Sequence, residues 1–201
     1  MTLAPYQGDG RYAEGVYVTS GHETEVRLTL EAAVDLVNSL TDPSDSHSAP
    51  TRELLHRHGF TRAAMATAAE VARVDERMGR LLSRFNSLPD TSEDDVVEWV
   101  NAEIARLPIA PSAVTHDGAP LHIHWTPTTA VFDDQVLADI LMALAQELCD
   151  HGTRRFGRCA ASDCEHLYYD ATRNGSRRFC SNPRCASRTH TADHRARQRQ
   201  T

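Results

Sequence analysis

Residues 159–199 read CAASDCEHLYYDATRNGSRRFCSNPRCASRTHTADHRARQR and hold four of the five cysteines, as the pairs Cys159/Cys164 and Cys180/Cys185. The spacing is C-x4-C-x15-C-x4-C. A short spacer can aim two sulfurs at one ion, and two such pairs complete a tetrahedral zinc site. Four cysteines leave no open position for water, which assigns the metal a structural rather than a catalytic role.

The residues around the pairs suit that geometry. Leu167-Tyr168-Tyr169 and Arg178-Phe179 have strand composition, and Asn174-Gly175 between them is a strong hairpin signal. Asn182 is a good N-cap and Pro183 a good first helical residue, which puts Cys185 in the first turn of a helix. The helix dipole favours a thiolate there. Knuckle, hairpin and ligand-bearing helix together are treble-clef-like. So short a segment closes no core unaided, so the metal supplies much of its folding energy.

The run Arg173-Asn174-Gly175-Ser176-Arg177-Arg178-Phe179-Cys180, with the paired cysteines around it and the basic helix after it, resembles the CGNR zinc finger. That finger typically follows an ABATE domain in bacterial proteins described as transcription regulators. The resemblance is good over residues 153–199 and loose before them. The family's name-giving Cys-Gly-Asn-Arg stands here as Cys185-Ala186-Ser187-Arg188. Cysteine and arginine are kept; the Gly-Asn is not.

Length fits one medium domain plus a small module, here residues 1–152 and 153–201 of 201. At 40% hydrophobic and 24% charged residues the composition is that of a soluble protein. No apolar run approaches the ~20 residues of a membrane span, and the N-terminus lacks a secretory pattern. Both point to the cytoplasm and no membrane partner; thiols stay reduced there, which favours metal over disulfides. Charge is split: residues 1–152 carry a formal −14 and residues 153–201 a formal +7, all from arginine, since the chain has no lysine. Four thiolates and one Zn²⁺ lower the second figure to about +5. An anionic partner is expected for the C-terminal module alone.

On a helix beginning near Pro183, Arg184, Arg188, Arg195 and Arg199 project within about 60° of one another. Cys185, Thr189, Ala192 and Ala196 gather on a neighbouring face. Arg173, Arg177 and Arg178 at the hairpin extend the basic surface. Guanidinium groups bind phosphate bidentately and contact guanine edges, so the surface suits DNA. A solvated charged helix, or one docked on the acidic domain, reads the same charges.

Before the finger, the expectation is a mostly helical domain with one or two small hairpins. Val16–Thr19 and Glu25–Leu28 can pair around Ser20-Gly21-His22, followed by a helix over Leu30–Leu40 with Leu30, Ala33, Val34, Val37 and Leu40 on its apolar face. Residues 41–50 are a loop. Arg52–His58 is a short helix capped by Thr51 and stopped by Gly59. A long helix over about residues 62–87 buries Met65, Ala68, Ala72, Leu82 and Phe85. Ser92 caps the next, whose stripe is Val96, Val97, Val100, Ile104 and Leu107. Ala113–Thr115 and Leu121–Trp125 bracket a second hairpin at Asp117-Gly118. The last helix, capped by Asp133 or Asp134, carries Val136, Leu137, Ile140, Leu141, Leu144 and Leu148 and ends at Gly152. Thr153–Arg158 is a basic connection.

His122 and His124 share a strand face, with His116 opposite; such a pair binds a metal, polarises a carbonyl, or is the wet face of a hairpin. Cys149 flanks an apolar stripe as an ordinary thiol. No nucleophile elbow, phosphate loop or zinc-protease motif is present, and no enzyme is expected. The resemblance implies a transcription regulator whose zinc-set helix contacts DNA. Its N-terminal domain is expected to sense a small-molecule effector or to join two copies of the chain, since two half-sites multiply the affinity of one small finger. The rival is an adaptor whose finger docks on protein; an enzyme using the histidine pair comes last.

Overall fold

Helix periodicity dominates from Gly21 onward. The computed structural model describes residues 21–199 except 44, 46, 47 and 116–120, and for residues 21, 22, 193 and 196 only the backbone is described. The elements are α1 (Gly21–Thr41), α2 (Thr51–Arg57), α3 (Ala68–Ser87), α4 (Glu93–Ile104), β1 (Ser112–Val114), β2 (His122–His124), α5 (Phe132–His151), β3 (Phe156–Arg158), β4 (Leu167–Tyr169) and α6 (Pro183–Gln198). Among the described residues the fold is mainly helical, with two antiparallel strand pairs, β1–β2 and β3–β4.

The first expected hairpin does not form across its described half. Glu25–Leu28 is helical, and Val16–Thr19 lies outside the described residues. The reason is visible in the spacing: Val26, Leu30, Ala33, Val34 and Val37 extend one helical face, and Arg27 pairs with Glu31 at 3.0 Å, one turn on. A two-residue alternation within that stretch loses to a helical period sustained over five turns.

The long helix is shorter than expected and turned differently. Thr61–Ala64 form a 3₁₀ turn, and α3 begins at Ala68 behind a reciprocal cap. Thr67 Oγ1 accepts from the Glu70 backbone N–H at 3.2 Å, while Glu70 Oε2 accepts from Thr67 N–H at 2.7 Å. An N-cap residue needs extended backbone, and Thr67 has ψ 162°, so no helix passes through it. The buried face is Val74, Met78, Leu81 and Phe85; of the expected set Phe85 is buried and Leu82 partly so, while Met65, Ala68 and Ala72 are exposed.

Of three further helix starts, two differ from expectation. α4 starts as expected, with Ser92 Oγ accepting from Asp95 N–H at 3.3 Å; Val97 is exposed and Trp99 takes its place in the core. α2 has Pro50 rather than Thr51 at its N-cap, Thr51 being turned to Asp75 on α3. α5 is preceded by Val131 with no side-chain cap. Asp133 is instead buried against Arg73 (3.0 Å) and Arg77 (2.8 Å) of α3. Burial pushes its carboxyl up, and the two guanidinium bonds outweigh this and hold it below the usual range. Gly152 ends α5 at φ +61°, where a Cβ would fall 1.9 Å from the Glu93 carboxylate at the start of α4. The Glu93 side chain can swing aside, so it is the positive φ that favours glycine there.

One apolar core joins these elements. α1 packs on α3 and α5, α4 packs on α5, and Phe85 meets Trp99 edge-on at 5.6 Å. The same buried cluster contains Phe156 of β3 and Leu167 and Tyr169 of β4. The strands that carry the first cysteine pair are therefore built into the core of the helical body.

Candidate metal centre and basic helix

β3 and β4 pair as Phe156↔Tyr169, Gly157↔Tyr168 and Arg158↔Leu167, so the loop between them carries Cys159 and Cys164. The expected connection at Thr153–Arg158 thus ends in a strand. The expected pairing of Leu167–Tyr169 with Arg178-Phe179 does not occur, although Gly175 does take φ +57° in a turn. The buried Asp170 accounts for this. Its carboxylate accepts from the backbone N–H of Thr172 and of Arg177, at 2.8 and 2.7 Å, and from the Thr172 hydroxyl. A carboxylate that gathers these donors shapes residues 170–177 into a loop rather than a ladder. Burial raises the Asp170 carboxyl, and those hydrogen bonds bring it below the usual range.

α6 begins as expected. Asn182 Oδ1 accepts from Arg184 N–H at 2.9 Å and Pro183 opens the helix. This sets Cys185 in the first turn, fully buried beside Cys159 and Cys180. The four sulfurs lie within 4.8 Å of one another, with Cys164–Cys180 at 3.8 Å and Cys180–Cys185 at 3.7 Å. A zinc–sulfur bond of ~2.3 Å in a tetrahedron requires sulfurs about 3.8 Å apart, whereas a disulfide requires ~2.0 Å. The cluster is a site for one structural zinc ion.

The thiols need that cation. Burial raises Cys159, but backbone N–H groups of Cys180 and Ala161 outweigh it and hold the thiol below its ordinary value. Burial pushes Cys164 up to about 11, with a thiolate at Cys159 adding to the effect, and pushes Cys180 up further. Buried thiolates beside one another resist ionising together, and a divalent ion removes that cost. Binding then releases protons, so zinc affinity falls as pH is lowered.

Arg188 adds a cationic neighbour. Its Nη2 donates to Cys185 Sγ at 3.5 Å and its Nη1 meets Asp163 at 2.7 Å; the bond to the sulfur, first, raises its own proton affinity. It thus ties the two cysteine loops together across the site. Arg188→Ala is expected to weaken zinc binding about 10–100-fold, as loss of an outer-shell partner does, with Arg188→Lys intermediate. Competition with a chromophoric chelator measures this; unchanged zinc affinity would remove Arg188 from the site.

The other sequence-selected arginines fall into two groups. Arg177 is turned inward, its Nε donating to Phe179 O at 2.9 Å and Nη1 to Tyr169 O at 3.2 Å, so it holds the finger's own backbone. Arg178 is exposed and lies 5.8 Å over the Phe179 ring, and Arg173 is exposed on the loop. On α6, Arg184, Arg188 and Arg195 are exposed, as is Arg199 just past its end. Ala192 is exposed too, and Phe179 packs against His190 on this helix at 5.8 Å.

What holds the finger on the body was not legible in the sequence. Asn38 of α1, buried, donates to Leu167 O at 3.0 Å and accepts from Leu167 N–H at 2.8 Å, acting as the missing neighbour of β4. Tyr169 donates to the buried Glu147 of α5 at 2.8 Å. Ser181 donates to Asp35 and Asn182 to Asp45, beside a cleft of about 160 Å³ that His166 also lines. A lone Asn in an apolar helical stripe was the one available signal. Asp139 was also missed: within the apolar α5, burial and then the nearby Glu25 push its carboxyl up to about 7.

His122 and His124 share one face of β2, as expected, while His116 lies outside the described residues. Cys149 is exposed. No helix among the described residues is long and apolar enough to cross a membrane.

No curated protein gives a significant match to the chain. The CGNR zinc-finger family profile matches residues 155–198, which span β3, β4, all four cysteines and α6. The matched segment is thus similar to the CGNR zinc finger and carries Ala186-Ser187 in place of the family's Gly-Asn.

Proposed function

We propose that the protein is a DNA-binding transcription regulator of the cytoplasm, in which the zinc finger presents α6 to the duplex. The observation that carries this reading is the exposure of α6. What docks on the acidic body is β4, Ser181 and Asn182, whereas Arg184, Arg188 and Arg195 of α6 remain on the surface, with Arg173 and Arg178 nearby in sequence. An acidic body of formal −14 repels phosphate and leaves the basic helix as the approach face. The helical body is then an ABATE-like domain that senses a small effector or joins two copies, and the interface through Asn38 and Tyr169 passes its state to the finger. The alternative is a protein-docking adaptor, which the same exposed helix would also serve.

Fluorescence anisotropy of the zinc-loaded protein on random-sequence duplex DNA separates the two. Three or four arginine–phosphate contacts give a slope of log K on log salt near −3, and Arg184→Ala/Arg195→Ala reduces its magnitude by roughly 2. Arg188 is unsuitable for this test because it also serves the zinc site. No binding at low salt by protein that retains its zinc would discard the DNA reading and favour the adaptor.

A further inference from the structure

Arg188 stands where the metal site meets the outer surface of α6. Its Nη2 donates to Cys185 Sγ at 3.5 Å and its Nη1 meets the Asp163 carboxylate at 2.7 Å, so both terminal nitrogens are turned to the cysteine loops. The side chain is nevertheless 50% exposed, on the helix that the proposed function presents to the duplex. A phosphate oxygen and a carboxylate oxygen are the same kind of acceptor, and a guanidinium forks onto either. A guanidinium so placed leaves its sulfur for the duplex unless another acceptor holds it. Asp163 is that acceptor: it lies on the turn that leads into Cys164 and takes the nitrogen a phosphate would need.

We propose that Asp163 is an internal stand-in for phosphate, which keeps Arg188 on the metal site and withholds it from DNA. The inference rests on the DNA reading above and concerns how that surface is regulated. An exposed ion pair by itself holds weakly. Here the guanidinium has a second bond, to the cysteine sulfur, and moving it onto the duplex gives up both. The paired charges also cancel, so this point of α6 offers the duplex no net attraction. Phosphate is then left to the other arginines, and DNA binding leaves the outer shell of the metal site in place. Asp163 is a positioning residue in this scheme, acting through Arg188.

The test uses the full zinc-loaded chain on random-sequence duplex DNA, with the variant Asp163→Asn. Glu165→Gln, exposed in the same loop, is the control for an equal change of charge. Asparagine keeps an acceptor oxygen without the charge, so Arg188 stays in place until phosphate competes for it. Once released, Arg188 adds one phosphate contact. The slope of log K on log salt should then steepen by about 0.9, and binding at ~0.1 M salt should tighten roughly eightfold. Glu165→Gln should leave the slope unchanged. Duplex DNA should also lower the zinc affinity of Asp163→Asn about tenfold, as loss of an outer-shell partner does, and leave that of the wild type unchanged. Competition with a chromophoric chelator, with and without duplex, reads this. An unchanged slope in Asp163→Asn, an equal steepening in Glu165→Gln, zinc affinity of the variant indifferent to DNA, or a tenfold loss of it without DNA would each overturn the proposal. Failure of every protein to bind duplex, the wild type included, would instead remove the DNA reading and this inference with it. Matching circular dichroism across the variants ensures that the change is in contacts and not in fold.

Discussion

Asn38→Leu is expected to destabilise the protein by about 2–5 kcal/mol, the largest effect of any single substitution outside the cysteines. The side chain is buried and makes both of its hydrogen bonds to the backbone of Leu167, one as donor and one as acceptor. Leucine keeps the volume and removes both partners. The Leu167 N–H and C=O are then left unpaired in the core, at about 1–3 kcal/mol each, and gain nothing in return from water. Leu167 itself is fully buried, so the strand cannot move outward to find solvent without withdrawing it. Urea unfolding should show a lower midpoint with an unchanged slope, and the melting temperature should fall by roughly 5–15 °C for a chain of this length. A loss below about half a kcal/mol would mean that the pairing of α1 with β4 contributes little, since one hydrogen bond alone is worth more.

The second large effect is that of the metal. Cys185→Ser, or chelation of the zinc, removes a ligand from the first turn of α6, and the remaining thiols are held in a site where burial opposes their ionisation. Structural zinc contributes apparent binding energies of about 10–16 kcal/mol in isolated fingers, so α6 and the 159–180 loops should lose their fixed structure. Here the loss does not stay local. Phe156, Leu167 and Tyr169 belong to the core that α1 and α5 also form, so a loosened hairpin exposes apolar surface of the body. The expected calorimetric result is one coupled transition moved down by more than about 10 °C, together with reduced ellipticity. A body transition that stays in place while zinc and ellipticity are lost would show that the finger unfolds independently. Lowering the pH should weaken zinc retention in the same direction, because protons compete for the thiolates.

The elements legible in the sequence are those whose signals lie within a few residues. The cysteine pairs, Asn182 and Pro183 placed the ligand-bearing helix, and the four sulfurs meet as their spacing requires. α5 follows its apolar stripe, and α4 follows its serine cap. Two stretches carry competing local signals, and in each the structure follows the one that sequence reading ranks second. Glu25–Leu28 alternates like a strand, but its residues also continue a helical face. Thr67 interrupts an otherwise helical run because Thr-x-x-Glu caps a new start. The capping motif was present at 67–70 and outweighed the propensity of the alanines around it.

Pairing and direction were decided only in three dimensions. Leu167–Tyr169 does not pair with Arg178-Phe179, the partner that composition suggests. It joins Phe156–Arg158 because Asp170 commits the following loop to side-chain hydrogen bonds and Asn38 occupies backbone groups of β4. Arg177 and Arg178 are neighbours of equal charge, yet one holds carbonyls inside the finger and the other is exposed. Sequence alone determined the metal site and the helical class, since ligand type, spacing and period are local properties of the chain. Tertiary structure determined that the finger shares the body's core and that α6 stays outside it. Those outcomes rest on Asn38, Glu147 and Asp170, polar groups whose burial is stable only where a partner distant in sequence, or a folded loop, completes their hydrogen bonds.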